Sequence, residues 1–315
     1  MIEGGTELPA VSPRACAMPP GLAIRYDRPA DDIADSITGY HVYSAQGSAE
    51  RVDWFLPGTA NIRIALDAGV IAVTIRRRTY SPIPAVTLFG PTSQAMRAVT
   101  HGGTMIGIGV SALGWSRLFA KSASTYRDRI VPLAEAADAE LADALFAALS
   151  ATDRDHQVKA ALDAFFRARL GPYHADAPLI RRLMGMIVDE PADPLAGIAA
   201  ELNLPAHTLR RLSTRHFGFP PKLLLLRARF LRSLTRLLAA GEPLDYSKIA
   251  PSYFDASHFL RDARAFLGTT PKRFVAQPTI FLQASLRARE AVLGAPTQAL
   301  HAIAPATLDA EHPAP

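Results

Sequence analysis

A forty-residue stretch in the C-terminal part of the chain carries positive charge and no negative charge. Residues 202–241 contain eight arginine or lysine residues and no aspartate or glutamate. Within this stretch Leu223, Leu226, Phe230 and Leu234 recur every three or four residues, a period that places them along one face of a helix. The stretch therefore predicts helices that turn their leucines inward and leave their arginines in water.

The net positive charge lies in the C-terminal part of the chain. Residues 1–190 hold 19 Lys or Arg against 20 Asp or Glu, whereas residues 191–315 hold 15 against 9. A surface of one sign attracts polyanions, nucleic acid first and an anionic membrane second. We therefore expect the C-terminal part of the chain to bind nucleic acid.

The cysteine content and the hydrophobic segments limit where the protein works. Cys16 is the only cysteine, which excludes an intramolecular disulfide and a cysteine-based zinc site. The N-terminus lacks the pattern of a secretion signal, and no window approaches the roughly 18 uninterrupted apolar residues of a membrane span. These features predict a cytoplasmic protein that no membrane anchors.

The N-terminal part of the chain consists of short β-type runs that glycine and proline separate. Examples are "VDWFLPG", "ANIRIALDAG" and "AVTLFGP", and their spacing is typical of a small sandwich or barrel. The run "IRIALDAGVIAVTI" predicts a hairpin whose turn is Asp67-Ala68-Gly69, with Gly69 supplying a positive φ. We predict a flexible leader at residues 1–22 and a β-rich sensor or dimerisation domain at residues 23–132.

Helical patterns fill the rest of the chain, so the predicted fold class is α+β. Two amphipathic helices at residues 133–175 are expected to connect the domains. Residues 176–277 predict a series of short helices. Residues 278–315 predict one more amphipathic helix, covering part of the C-terminal domain, and then a disordered tail rich in proline and alanine.

The pieces "DPLAGIAAEL" and "PAHTLRRLSTRHFG" have the plan of a helix-turn-helix. In such a motif a three- or four-residue turn joins two helices, and the second helix can lie in the major groove of DNA. Ile198, Ala199 and Leu202 are expected to pack the first helix. Asn203 stands at the turn, where a left-handed backbone is needed and asparagine is the best choice after glycine.

The second helix of this motif separates an apolar face from a polar one. Leu209, Leu212 and Phe217 form the predicted buried stripe. The predicted outward-facing residues are His207, Thr208, Arg210, Arg211 and Thr214. Arginine can grip guanine O6 and N7 with two hydrogen bonds, whereas Arg215 and Lys222, nearer the helix ends, are expected to hold phosphates.

The helix-turn-helix pieces and the segments that follow them resemble the AraC/XylS family of transcriptional regulators. "AAELNLPAHTLRRLSTRHFGFPPKLLLLRARFLRSLTRLL" is similar to the first motif and linker helix of that family, and "SYFDASHFLRDARAFLGTTPKRF" is similar to its second signature. The resemblance covers about residues 190–277. More faintly, residues 24–133 resemble the cupin-like sensor half that precedes such domains. The signature positions that match are Asp255, Ser257, His258, Phe259, Arg261, Phe266, Gly268 and Pro271.

The resemblance implies two base-reading helices joined by one linker helix. The first would contact bases through His207, Arg210 and Arg211. The second would do so through Ala256, Ser257 and Arg261. His258 is expected to cap or pack rather than read a base.

The second motif departs from the family pattern at its turn. An ungapped alignment puts Ser252 at the turn glycine and Lys248 in the core, whereas aligning Ile249-Ala250 with the family's Ile-Ala deletes two turn residues. In both alignments Pro251 shortens the preceding helix. We therefore expect the first motif to read bases and the second mainly to grip the DNA backbone.

The sequence contains no catalytic or metal-binding signature. His41, His101 and His156 lack ligand spacing, so no metal and no cofactor is predicted. Ser111, His101 and Asp67 lack a nucleophile elbow, so the chain is not expected to be an enzyme. Five aromatic residues are equally compatible with a ligand cavity and with core packing: Trp54, Phe55, Tyr80, Phe89 and Trp115.

The sequence therefore predicts a sequence-specific DNA-binding transcription regulator. Its expected partner is double-stranded DNA, with a small-molecule effector, RNA polymerase and a second copy of the chain as further candidates. One alternative is a DNA-repair or small-molecule-modifying enzyme with an appended DNA-binding module. It would need a nucleophile or metal ligands, for which Cys16 alone is poor support. The other is a membrane-surface protein that buries its leucine-rich helix in lipid.

Overall fold

The computed structural model describes residues 2–189, 196–241 and 243–302. Two antiparallel sheets form its N-terminal half. The larger sheet has the order β1 (Leu22–Asp27), β2 (Ile37–Ala45), β9 (Gly103–Val110), β4 (Asn61–Leu66), β7 (Val86–Phe89), β10 (Ile130–Pro132). The smaller sheet has the order β3 (Arg51–Phe55), β8 (Met96–Thr100), β5 (Ala72–Ile75), β6 (Arg78–Tyr80).

The predicted hairpin at residues 62–75 is wrong. Strand β4 pairs with β7 and β9 in the larger sheet, while β5 pairs with β6 and β8 in the smaller one. Because β4 has a partner on both edges, it offers no free edge to β5. The left-handed residue at the turn is Asp67 (φ 51°) rather than Gly69, and the tight hairpin is instead β5–β6, whose turn contains Arg76 (φ 57°).

The helices predicted as a connector belong to the core of the N-terminal domain. These are α2 (Leu133–Ala136), α3 (Ala139–Ser150) and α4 (Val158–Arg169), which follow α1 (Ala112–Leu118). Leu145 and Phe166 are fully buried in the same cluster as Ile62 and Ile108 of the larger sheet. Their apolar stripes cover this sheet, so residues 133–170 complete its hydrophobic core.

The segment predicted as a flexible leader packs on β1. Gly5 pairs with Arg25 of β1, and Ile2 and Cys16 are buried. A single 3₁₀ turn at Pro13–Cys16 carries the cysteine into contact with the sheet. The segment is thus attached to the sheet by an isolated bridge, a contact between distant residues that proline and glycine content does not predict.

The C-terminal half is helical, as predicted. Its elements are α5 (Ala177–Asp189), α6 (Ala196–Glu201), α7 (Ala206–Phe217), α8 (Pro221–Ala240), a 3₁₀ turn (Tyr246–Lys248), α9 (Ala256–Leu267), α10 (Pro271–Val275) and α11 (Ile280–Leu293). Phe230 of α8 stacks on Phe259 and Phe266 of α9 at ring-centroid distances of 5.5 and 5.3 Å. The α+β fold class is confirmed.

Helix α11 returns to the N-terminal domain. Ala284, Ala288 and Val292 pack against Ile24 and Tyr26 of β1. The residues after it, including Ala299 and Leu300, join the core of the C-terminal domain, so the additional helical segment touches both domains rather than covering one. The predicted disordered tail, residues 304–315, lies outside the described residues.

Asp53 fixes the start of α11. Its carboxylate accepts hydrogen bonds from the backbone N–H groups of Phe281 (2.7 Å) and Leu282 (3.4 Å). Burial raises the pKa of Asp53 to about 6 in spite of these bonds. In the described part of the chain, no helix has the combined length and apolar character that a membrane span requires.

Candidate DNA-binding surface

Two helical motifs in the C-terminal half end in the same way. Helix α7 ends at Gly218 (φ 83°) and α9 ends at Gly268 (φ 75°), both in the left-handed conformation that closes a helix. A proline then opens the next helix, Pro221 in α8 and Pro271 in α10, since proline costs no hydrogen bond in the first turn. The chain therefore uses one local design twice.

The first motif forms as its sequence predicts. Asn203 has a φ of 50° and makes the turn between α6 and α7. Ile198 and Leu202 of α6 are buried together with Leu209 and Leu212 of α7. The buried stripe fixes the rotation of α7, so its opposite face is directed to solvent.

The second motif has a reduced first helix. A single 3₁₀ turn, Tyr246–Lys248, stands in its place, and Pro251 follows closely. Lys248 is exposed, whereas Ala250 is fully buried and its N–H donates to Ser233 Oγ (2.9 Å). The alignment that put Lys248 in the core is therefore wrong, and Ala250 occupies the core position.

The residues predicted to read DNA from α7 lie on its free face. His207, Arg210 and Arg211 are exposed, and Thr208 is half-buried. Among the described residues, none of their side chains forms a hydrogen bond or an ion pair. The Thr214 hydroxyl, in contrast, donates to the carbonyl of Arg210 (2.9 Å) and is satisfied within the helix.

The other predicted contacts are exposed as well. Arg215 lies in the last turn of α7, and Lys222 lies in the first turn of α8. Ala256, Ser257 and Arg261 occupy the exposed face of α9. Asp255 caps this helix by accepting from the His258 N–H (2.7 Å).

His258 has a structural role, in agreement with the prediction. Its Nε2 lies 3.1 Å from Arg229 Nη2, and its ring meets Tyr253 edge-on. Arg229 donates to Asp262 Oδ2 at 2.7 Å. These contacts hold α9 against α8.

The arginines of α8 do not all remain in water, so that prediction is wrong. Arg227 is 4% exposed, and its Nη1 donates to the carbonyls of Gly58 (3.0 Å) and Thr92 (2.9 Å) in the N-terminal domain. Burial lowers its pKa to about 10. Arg232 donates to the carbonyl of Val188 at the end of α5 (3.0 Å).

The buried face of α8 is wider than the leucine period indicates. Leu224, Leu225, Ala228 and Leu231 are buried in addition to the stripe that contains Phe230, whereas Leu223 and Leu226 are only half-buried. Helix α8 is the central helix of the domain and has neighbours on several sides. Its leucines are therefore not available to a lipid surface, which removes the basis of the membrane-surface alternative.

The C-terminal ends of α7 and α9 are docked on the N-terminal domain. Ala95 N–H donates to the carbonyl of Phe266 (2.7 Å), and Gln94 Nε2 donates to that of Ala265 (3.0 Å). Ser122 Oγ donates to the carbonyl of Thr214 (3.3 Å). The free N-terminal halves of α7 and α9 therefore project from a common support.

A basic cleft beside α9 was not found from the sequence. Its volume is about 930 Å³, and none of the described residues that line it is acidic. Arg76, Arg77 and Arg97 come from the smaller sheet, while Arg264 and Arg273 come from α9 and α10. The two sets lie about 170 residues or more apart in the chain, so no local pattern could have joined them.

The residues on which an enzymatic function would depend are not brought together. Cys16 is buried, its Sγ donates to the Gly5 carbonyl (3.3 Å), and burial raises its pKa, which disfavours the reactive thiolate. Ser111 caps α1, and His101 Nδ1 is bonded to the carbonyl of Val70. Asp67 instead pairs with Arg154.

A histidine–aspartate cluster links α7 to the segment before α5. Asp176 Oδ2 lies 3.1 Å from His216 Nε2, and the Asp176 N–H donates to His174 Nδ1 (3.0 Å). Three donor atoms of these residues lie within 4.8 Å of one another. No sequence pattern indicates the cluster, because 40 residues separate Asp176 from His216.

Comparison with known families identifies this region. Residues 198–277 match a family model described as "Helix-turn-helix domain". They form a helix-turn-helix domain of the AraC type. The predicted resemblance is therefore confirmed for the part of the chain that carries α6 to α10, and this domain is that of a DNA-binding transcription regulator.

Comparison with whole proteins adds distant likenesses. No curated protein matches the sequence. Unsaturated-fatty-acid-bound ToxT from Vibrio cholerae is 12% identical, with 84% of this chain and 98% of ToxT covered and a TM-score of 0.42. The AraC-like activator CuxR is 11% identical (68% and 86% covered, TM-score 0.25). A cupin superfamily protein from Desulfitobacterium hafniense is 12% identical (30% and 81% covered, TM-score 0.23). These values are too low to transfer any property to this chain.

Proposed function

We propose that the protein reads a specific DNA sequence in the major groove with α7 and α9, and that its N-terminal domain controls how these helices are presented. The observation that carries the first part is the free face of α7. It presents two adjacent arginines, Arg210 and Arg211, in a stretch without acidic residues. Neither guanidinium has a partner among the described residues, so both are available to a polyanion.

Each predicted contact has a role that follows from its position. Arg210 and Arg211, with His207 and Thr208, are placed to meet base edges. Arg215 and Lys222 stand at helix ends, where contacts to phosphates position a protein on the duplex. Of the three predicted contacts on α9, Ala256, Ser257 and Arg261, one is a long cationic side chain, so the second motif contributes fewer hydrogen bonds to bases than the first.

The control of the recognition helices rests on the docking contacts. Both helices end against residues 91–95 and 122–123 of the N-terminal domain, and Arg227 ties the linker helix to Gly58 and Thr92. A ligand that displaces these backbone segments changes the position of α7 and α9. A small-molecule effector is therefore the partner that this arrangement favours, while RNA polymerase and a second copy of the chain remain predictions.

Selection of bound duplexes from a random DNA library tests the proposal. The wild-type protein should enrich one sequence with two blocks, one for each recognition helix. Arg210→Ala should relax the preference at one or two positions of one block, whereas Arg14→Ala, an exposed change in the N-terminal segment, should enrich the wild-type sequence. Recovery of no consensus by the wild-type protein, or of the same consensus by a double Arg210→Ala, Arg211→Ala variant, would contradict the assignment.

A further inference from the structure

Two adjoining cavities lie in the N-terminal domain. The larger has a volume of about 350 Å³ and a mainly apolar lining, and the smaller has a volume of about 110 Å³. Four residues line both, which makes the cavities neighbours: Tyr43, Phe55, Arg63 and Phe89. The larger volume falls within the range of about 300–1,000 Å³ that is usual for small-molecule sites.

The described residues that line the smaller cavity include two arginines and no acidic residue. Arg289 of α11 is 6% exposed, and its Nε and Nη2 atoms are buried without a hydrogen-bond partner among the described residues. Arg63 of β4 stacks on Phe89 at 4.3 Å, and its Nε donates to Asn61 Oδ1 (3.2 Å). Within the described parts of the chain, neither guanidinium has a carboxylate within ion-pair distance.

This arrangement differs from that of other buried arginines in the same domain. Arg25, equally buried, forms an ion pair with Asp27 at 2.6 Å. Burial lowers the pKa of both Arg63 and Arg289, and the two charges add to the effect of burial in lowering the pKa of His41 between them. Arg289 is buried and Arg63 is half-buried, and neither has a counter-ion among the described residues. Positive charges removed from water without a counter-ion are costly, and an anion from outside the chain would offset that cost.

We infer that Arg63 and Arg289 form an oxyanion-binding subsite, and that the ligand is an amphiphile with a carboxylate or phosphate head and an apolar body. Guanidinium groups match the planar and tetrahedral oxygens of such heads with paired hydrogen bonds. The hydroxyls of Thr59 and Thr297, also buried and unpaired among the described residues, line the same cavity. The apolar body fills the larger cavity beside Phe55 and Phe89.

This subsite deepens the proposed control of DNA binding and rests on that proposal for its regulatory meaning. Gly58 and Thr92 line the smaller cavity, and their carbonyls are the two acceptors of Arg227. Arg289 belongs to α11. Pro278, in the short segment between α10 and α11, lines the larger cavity. An anion held by Arg289 therefore lies next to two of the connections between the domains, the contacts of Arg227 and helix α11.

Isothermal titration calorimetry of the full chain without DNA tests the subsite. The probes share a ten-carbon chain and differ in head group: decanoate, decyl phosphate and decanol. We expect one or both of the anions to bind with a stoichiometry near one, and decanol to bind at least about tenfold more weakly because it lacks charge-assisted hydrogen bonds. The difference between decanoate and decyl phosphate identifies the head group.

Variants separate the subsite from general packing. Arg289→Met and Arg63→Met should each weaken binding of the anion by about tenfold or more and leave binding of decanol unchanged. Arg289→Met should not lower the melting temperature of the unliganded protein, because it removes a buried charge that has no counter-ion among the described residues. Arg287→Met, on the exposed face of the same helix, is the matched control and should bind the anion as the wild type does.

Three results would overturn the inference: equal affinity for decanol and the two anions, no binding of either anion, or undiminished anion binding by Arg289→Met together with a lower melting temperature. Each would leave the reading of DNA by α7 and α9 untouched, since the titration contains no DNA. Conversely, loss of sequence preference in the selection experiment would not affect the titration. The two proposals thus fail separately.

Discussion

Helices α7 and α8 draw their arginines from the same acid-free stretch and use them in opposite ways. Arg210 and Arg211 of α7 are exposed and have no partner among the described residues. Arg227 and Arg229 of α8 are bonded to backbone carbonyls and to Asp262. The arginines of one acid-free stretch therefore do not all belong to one functional surface, because Arg227 connects the domains.

The largest effect on stability is expected where an α8 arginine is buried. Arg227→Ala removes both hydrogen bonds to the N-terminal domain and leaves a cavity, so the free energy of unfolding should fall by about 3 kcal/mol. Chemical denaturation measures the change. Arg236→Ala, at an exposed position of the same helix, should stay within about 0.5 kcal/mol of the wild type. Equal stability of the two variants would show that the contact to Gly58 and Thr92 contributes nothing.

The spacing of the leucines predicted the helices, but it does not predict which of their arginines are buried and which are exposed. The period predicts which residues face the core when a helix packs on one side, and this is sufficient for α7. It fails for α8, because α5, α9 and the N-terminal domain surround that helix and Arg227 meets carbonyls 135 and 169 residues away. Hydrogen-bond partners that lie so far apart in the sequence cannot be predicted from the local spacing of residues.

The same limit explains the other outcomes. Asn203 and Gly218 could be assigned from the sequence because a left-handed backbone is a local requirement. The strands that pair with β4 and with β5 could not be assigned from the sequence. Turn residues at 67–69 are compatible with a crossing between sheets as well as with a hairpin. The return of α11 to β1 and the meeting of Arg63 with Arg289 depend on tertiary contacts across more than 200 residues.

On α7 the effect should appear in DNA affinity instead of stability. Arg210→Ala and Arg211→Ala should each weaken binding to the selected sequence by about 1–3 kcal/mol. Their unfolding free energies should match that of the wild type, because neither side chain has a partner in the described structure. Fluorescence anisotropy with the selected duplex and a scrambled one measures both affinity and preference. If a variant loses stability but keeps its DNA sequence preference, that arginine has a structural role, as the bonded arginines of α8 do.

Arg229 offers an intermediate case. Its ion pair with Asp262 is partly exposed, with side-chain exposures of 18% and 14%, so the coupling should be modest, about 1 kcal/mol. A double-mutant cycle with Arg229→Met and Asp262→Asn measures it. The DNA preference of the second block should change together with stability, since the pair orients α9. A coupling near zero would show that this ion pair does not support α9 on α8 and that the stacking of Phe230 on Phe259 and Phe266 contributes more.

The smallest effect is expected at the helix ends. Arg215→Gln and Lys222→Gln should each weaken binding to the specific and to the scrambled duplex by a similar factor, because a phosphate contact carries no sequence information. Each should also reduce the slope of log affinity against log salt by about 0.9, as one fewer counterion is released. Anisotropy titrations between low and moderate salt measure that slope. A change in preference without a change in slope would move Arg215 from the phosphate contacts to the base contacts, and the free face of α7 would then extend over its whole length.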